Sequence, residues 1–178
     1  SHQISFGVDG KPVAADGISP EGRLEYDKRG NCVKIVCYDG YGKKVNGQHN
    51  WCEQRFTYDD AGLQTSFAYY DINGKPVIDK STKCHKTMRT YNSMREISTE
   101  TYYGVDGRQM LSEVGYSKMT YKYNSQNQRT EIAYFGTNGK AVNCKNGWHR
   151  EVYAYRAGTE YKCDLYDTSN RKLATMLM

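Results

Sequence analysis

Along this chain apolar and polar residues alternate in short runs, broken by segments that contain glycine or asparagine. Val33, Ile35 and Cys37 fall on one side of such a run, and Thr65, Phe67 and Tyr69 occupy the same side of the next. Thr130, Ile132 and Tyr134, then Tyr161, Cys163 and Leu165, repeat the pattern, while Val36, Ala68, Thr101 and Ala133 lie on the opposite side. A period of two with one consistently apolar face predicts half-buried β-strand. No segment carries a helical period. The expected fold is therefore all-β.

The breaks between runs are themselves periodic. An aromatic residue followed four positions later by Gly-Lys or a near variant appears at Phe6–Lys11, Tyr38–Lys43, Tyr70–Lys75, Tyr103–Arg108 and Phe135–Lys140. A degenerate sixth copy, Tyr166–Arg171, has Asn170 in the glycine slot. The five glycines are spaced by 32, 32, 33 and 32 residues. A second turn, expected to be of a different kind, is entered by Tyr26, Tyr58, Tyr91, Tyr123 and Tyr155. Its fourth residue is Gly30, Gly62, Arg95 or Asn127, and the fifth copy is one residue shorter and uses Gly158. Glycine and asparagine tolerate a left-handed backbone, so Arg95 predicts a distorted turn.

The period implies a single repeat domain over 1–178, with units at 1–35, 36–67, 68–100, 101–132, 133–163 and 164–178. Such units bury their apolar faces only by stacking, so tandem β-hairpins of about 32 residues should form an elongated, twisted antiparallel meander or solenoid. The third unit carries the extra residue of the 33 spacing and places Arg89 where the other units have Leu24, Phe56, Tyr121 and Tyr153. A β-bulge or longer loop is expected in 78–88, with the following side chains flipped to the other face.

Composition sharpens this. The chain has 17 tyrosines against 4 phenylalanines and 2 tryptophans, and 17 glycines against 3 prolines. Tyrosine joins a ring that can be buried to a hydroxyl that can stay wet, which suits a thin sheet. The net charge of +5 comes from scattered lysines and arginines, many beside turn glycines. Such lysines keep a protein soluble and block strand edges, so neither nucleic acid nor anionic lipid is the expected partner. No run is long and apolar enough for a membrane-spanning helix. Ser1-His2 reads as a vector remnant ahead of an excised segment, so the lack of a signal peptide leaves the native compartment open.

Tyr26-Asp27-Lys28-Arg29-Gly30 and Tyr58-Asp59-Asp60-Ala61-Gly62 resemble the YD repeats of bacterial RHS-type proteins. The run at 69–77 is similar to hairpin repeats of bacterial secreted and surface proteins. The resemblance implies an extracytoplasmic shell, spacer or binding platform that lacks catalytic residues.

The candidate chemistry is thin. Cys32, Cys37, Cys52, Cys84, Cys144 and Cys163 include no close pair of the zinc-binding kind, and most are expected to be reduced and structural. Cys52 and Cys84, each ten residues past a turn glycine, are placed where stacking could bring them together. His2, His49, His85 and His149 fall at unrelated positions of the repeat. Asp71-Ile72-Asn73-Gly74 has the look of a calcium loop but lacks its distal glutamate, and a hairpin turn accounts for it better. Trp51 and Trp148 lie nine residues past their turn glycines, with Tyr116 in the matching slot. Aromatics recurring at one phase could line an exposed face that binds protein or glycan, or could cap the apolar face of the sheet. No catalytic residue, metal or cofactor is assigned. The leading expectation is a non-enzymatic binding module, with a ligand-free spacer as the alternative.

Overall fold

A computed structural model describes residues 2–6, 12–13 and 21–177, with side chains from residue 21 onward. Its thirteen strands are β1 (His2–Phe6), β2 (Pro12–Val13), β3 (Glu21–Tyr26), β4 (Cys32–Tyr38), β5 (Glu53–Tyr58), β6 (Gln64–Tyr70), β7 (Lys86–Tyr91), β8 (Ile97–Tyr103), β9 (Lys118–Tyr123), β10 (Arg129–Phe135), β11 (Arg150–Arg156), β12 (Thr159–Tyr166) and β13 (Lys172–Leu177). Among the described residues there is no helix, and so none long and apolar enough to cross a membrane. The turn residues of the first Gly-Lys motif, 7–11, lie outside the described residues.

The fold is all-β and antiparallel, in two compact units. The first takes in the chain through Thr87 together with Tyr103–Arg108, and its strands run in the order β2-β1-β3-β4-β5-β6. The second comprises Met88–Tyr102 and Gln109–Met178, and in it β7 through β13 are neighbours in chain order.

One turn geometry serves almost every connection, which corrects the expectation of two kinds. At Asp27–Asn31 the first residue's N–H donates to the fifth residue's carbonyl at 2.9 Å, and Gly30 N–H donates back to the Asp27 carbonyl at 3.1 Å. This is a type I turn followed by a left-handed residue that forms a G1 bulge. The Gly-Lys turn at Asp39–Lys43 has the same two bonds. Where Asp or Asn leads, its side-chain oxygen fixes the geometry by accepting the N–H groups two and four residues on; where Gly104 or Gly136 leads, Asp106 or Asn138 accepts the N–H two residues further on instead. Asp39 holds Tyr41 and Lys43 in this way, and Asn92 holds Met94 and Glu96. Arg95 therefore takes the left-handed slot undistorted, at φ 66°, with Arg95 N–H on the Asn92 carbonyl.

A third turn of the same form, unforeseen in the sequence, closes at Gly47–Trp51, Ser112–Tyr116 and Cys144–Trp148. In the third repeat it spans one residue more, Asp79 to Cys84, with Lys83 left-handed at φ 56°. The extra residue is absorbed in that loop and flips nothing. Arg89 keeps the orientation of the residues it replaces and pairs with Glu100 at 2.7 Å, where Phe56 faces Phe67. Register shifts beside the turns occur in other repeats, at Glu25/Tyr26, Thr57/Tyr58, Arg129/Glu131 and Ala154/Tyr155.

The shortened hairpin after β11 departs from the common geometry. Ala157 and Gly158 both have positive φ, 48° and 82°, as in a two-residue type I′ turn. A left-handed alanine costs about 1–2 kcal/mol. Ala157→Asn, the preferred residue there, is expected to stabilise the protein by about 1 kcal/mol, read as a higher midpoint in denaturant unfolding.

Candidate functional site

In each unit the apolar face of the sheet is covered by loops. After each Gly-Lys turn the chain pairs briefly with the strand it has left, as in the Tyr38–Lys44 and Tyr70–Pro76 bridges. It then makes the third turn and lays an aromatic residue back over the strands. In the first unit Trp51 packs with Cys37 and Tyr69 against Phe67 and Val77, its ring centroid 5.7 Å from that of Tyr69. Trp51 is only 5 % exposed, and its indole N–H donates to Asp79 at 3.1 Å. In the second unit Tyr116 stacks on Tyr134 at 4.5 Å, and Trp148 packs on the cluster around Ile132, Tyr134 and Cys144. The Trp148 indole donates to Glu151 at 2.9 Å, and the Tyr134 and Tyr153 hydroxyls donate to the same carboxylate. Burial and these bonds to Glu151 hold both phenols well above the usual tyrosine range.

Trp51, Tyr116 and Trp148 thus cap apolar sheet faces, one buried and two half-buried, rather than line an exposed strip. Their placement follows from the third turn, which points its closing residue inward.

In the third repeat the closing position is Cys84 rather than an aromatic. Cys84 therefore corresponds to Trp51, and Cys52 to the residue after it. None of the six cysteines is joined in a disulfide: Cys52 Sγ lies on the Cys37 carbonyl, and Cys84 Sγ contacts Thr82 and Thr87. Burial pushes the Cys163 thiol up to about 11. The same one-residue offset unites two histidines that the sequence spacing had separated. Cys52, His85, Ser117 and His149 each donate their N–H to the last residue of a hairpin strand: Tyr70, Tyr103, Phe135 and Tyr166. His85 stands edge-on to Tyr70 at 5.2 Å, and His149 edge-on to Phe135 at 5.5 Å. His149 Nδ1 lies 2.8 Å from the Tyr134 carbonyl, so both rings serve packing and backbone bonds.

Burial lowers the His85 imidazole below its ordinary value of 6.5, with the Lys86 charge adding to the effect and contacts to the Val77 and Tyr69 carbonyls opposing it. Protonation therefore favours the unfolded chain. The stability His85 contributes is complete above about pH 6.5 and is lost as the pH falls below it. His85→Ser, the residue type at the matching Ser117, is expected to flatten the stability–pH profile between pH 7 and 5.

The opposite faces carry long charged side chains over small ones. In the first unit the Arg23 and Arg55 guanidinium groups lie 3.9 Å over the Tyr38 and Tyr70 rings, while Val36 and Ala68 are buried beneath. Glu53, also buried, is gripped by Lys44 at 3.0 Å and Arg55 at 2.7 Å. Burial raises its carboxyl, but the two cations outweigh that and hold it below the usual range. In the second unit Arg150 stacks over Tyr166 at 4.7 Å. There Glu131 is bridged by Lys122 at 2.8 Å and Arg150 at 3.1 Å, and Asp164 by Lys162 at 2.8 Å and Lys172 at 2.7 Å. The Asp164 carboxyl is held well below the carboxylate range by Lys162, Lys172 and Thr175. Scattered in the sequence, these cations are gathered by strand register. Among the described residues no three His, Cys, Asp or Glu side chains are grouped to hold a metal ion.

No protein-family model matches the chain, and no curated protein matches it in sequence.

Proposed function

We propose that the chain is a non-enzymatic repeat module of a bacterial surface or secreted protein, and that it binds protein or glycan on the sheet faces not covered by its loops. Its units of about 32 residues would stack into an elongated meander or solenoid. The observation that carries the binding reading is the character of those faces. Arginine–tyrosine pairs and doubly bridged carboxylates stand over small buried residues, giving a surface dense in hydrogen-bond donors. The loop-covered faces are spent on packing, Trp51 most of all. Immobilised glycan and peptide panels test the proposal. Saturable binding that weakens on Arg55→Ala supports it, and silence across both panels overturns it.

A structural spacer is the second reading, favoured by bonds between successive turns. The Asn46 side chain accepts the Ile72 N–H, and Lys80 N–H donates to the His49 carbonyl. In the second unit Asn143 accepts from Thr168, and Lys145 donates to the Val114 carbonyl. An extended small-angle scattering profile together with silent panels would favour the spacer. A compact profile would remove the stacked architecture from both readings.

A further inference from the structure

The two bridged carboxylates of the second unit lie in one row of its open face. Glu131 on β10 is opposite Val152 on β11, which is in turn opposite Asp164 on β12. Val152 separates them, so the centres are two strand spacings apart, about 10 Å. Each centre joins one largely buried carboxylate to two cations, and so each keeps one surplus positive charge. The carboxylates hold the cations in place: the Lys122 side chain remains 68 % exposed beside Glu131, and that of Lys172 44 % beside Asp164. The Thr175 hydroxyl donates a further bond to Asp164 at 2.6 Å. The result is a pair of surplus charges held about 10 Å apart on one face of the sheet.

We infer that this row binds an anionic polysaccharide, a chain with about one carboxylate or sulfate per disaccharide, each anion seated on one Glu131- or Asp164-centred pair of cations. The inference rests on the binding reading above and gives its ligand a chemical class. Charge complementarity selects a polyanion, and two observations select a glycan over nucleic acid. The rings on this side are engaged within the fold, Tyr166 beneath Arg150 and Phe135 edge-to-face with His149, rather than presented as a stacking platform. Two widely spaced single charges also fall short of the dense phosphate contacts on which nucleic-acid affinity depends.

Hyaluronan oligosaccharides, with one carboxylate per disaccharide, are the probe, measured by calorimetry on the full chain at low and physiological salt. Binding is expected, weakening as salt rises. Lys122→Gln with Lys172→Gln should weaken it by roughly tenfold or more, each variant removing one surplus charge. Lys140→Gln, on an exposed turn, should leave it unchanged. Circular dichroism of the double variant checks that the sheet persists. Equal loss from Lys140→Gln would overturn the site, as would tighter binding of a thymidine oligonucleotide or of phosphatidylserine vesicles. Binding of neutral glycans or peptides without hyaluronan would overturn this inference and leave the broader reading standing. Silence toward all of them would remove both.

Discussion

Asp79→Ala is expected to destabilise the protein by about 3 kcal/mol or more, among the largest effects of any single side chain in the first unit. Asp79 is 2 % exposed and accepts three hydrogen bonds: the Trp51 indole N–H through Oδ2, and the Ser81 and Thr82 N–H groups through Oδ1. Alanine leaves the buried indole N–H without an acceptor, at about 1–3 kcal/mol, and removes the two carboxylate bonds that shape the turn at the exposed Ser81 and Thr82. Because Asp79 sits in the loop that is one residue longer than its counterparts, the loop loses its shape at the same time. In a Trp148→Phe background, the remaining Trp51 emission should shift to the red as its environment opens. Combined with Trp51→Phe, the penalty should fall short of the sum, since one lost bond is shared. Strict additivity would show that Asp79 holds the loop without holding the indole.

Glu151→Leu carries the comparable expectation for the second unit. One carboxylate accepts from Trp148, Tyr134 and Tyr153, so its loss leaves an indole and two hydroxyls on the covered face without an acceptor. A cost of about 3 kcal/mol is expected in urea unfolding. Glu151→Gln should cost less, because the amide oxygen still accepts. It also has a spectroscopic signature: removing the negative charge lowers the two phenols toward their ordinary range. In an alkaline titration followed by ultraviolet absorbance, two tyrosines of the 17 should ionise earlier in Glu151→Gln than in the parent. An unchanged titration would mean that burial alone, and not Glu151, sets those phenols.

What could be read in the sequence follows from where the physics is local. Period-two alternation placed the strands, because each strand shows one face to a core whatever covers it. Glycine and asparagine marked turns such as Gly42, Gly62 and Asn127, because a left-handed slot has a chemical preference. Arg95 misled because the turn is imposed by Asn92, whose side chain fixes the backbone around it regardless of the residue in the slot. The third turn was hidden for a related reason. Its left-handed residue varies among Asn50, Lys83, Gly115 and Gly147, and no constant tyrosine introduces it. Without that turn the one-residue offset could not be assigned to 79–84, so His85 and His149 seemed unrelated and Cys84 seemed to match Cys52. The direction in which Trp51, Tyr116 and Trp148 point depends on that same turn, and the charge pairs at Glu131 and Asp164 depend on strand register. Neither is written in any local pattern.

The turns also bear on how long the protein lasts. Asn46-Gly47, Asn73-Gly74, Asn138-Gly139 and Asn146-Gly147 are the dipeptides most prone to cyclise to succinimide and lose ammonia, through attack of the glycine nitrogen on the asparagine side chain. In all four the glycine N–H is already donated: to Trp51 at 2.8 Å, Asp71 at 3.0 Å, Gly136 at 3.0 Å and Cys144 at 2.9 Å. Asn46 is further restrained by accepting the Ile72 N–H. Ageing at these sites must wait for a turn to open, so local opening, more than solution chemistry, sets the pace of deamidation. The bonds that bring the chain back on itself double as its protection against chemical decay.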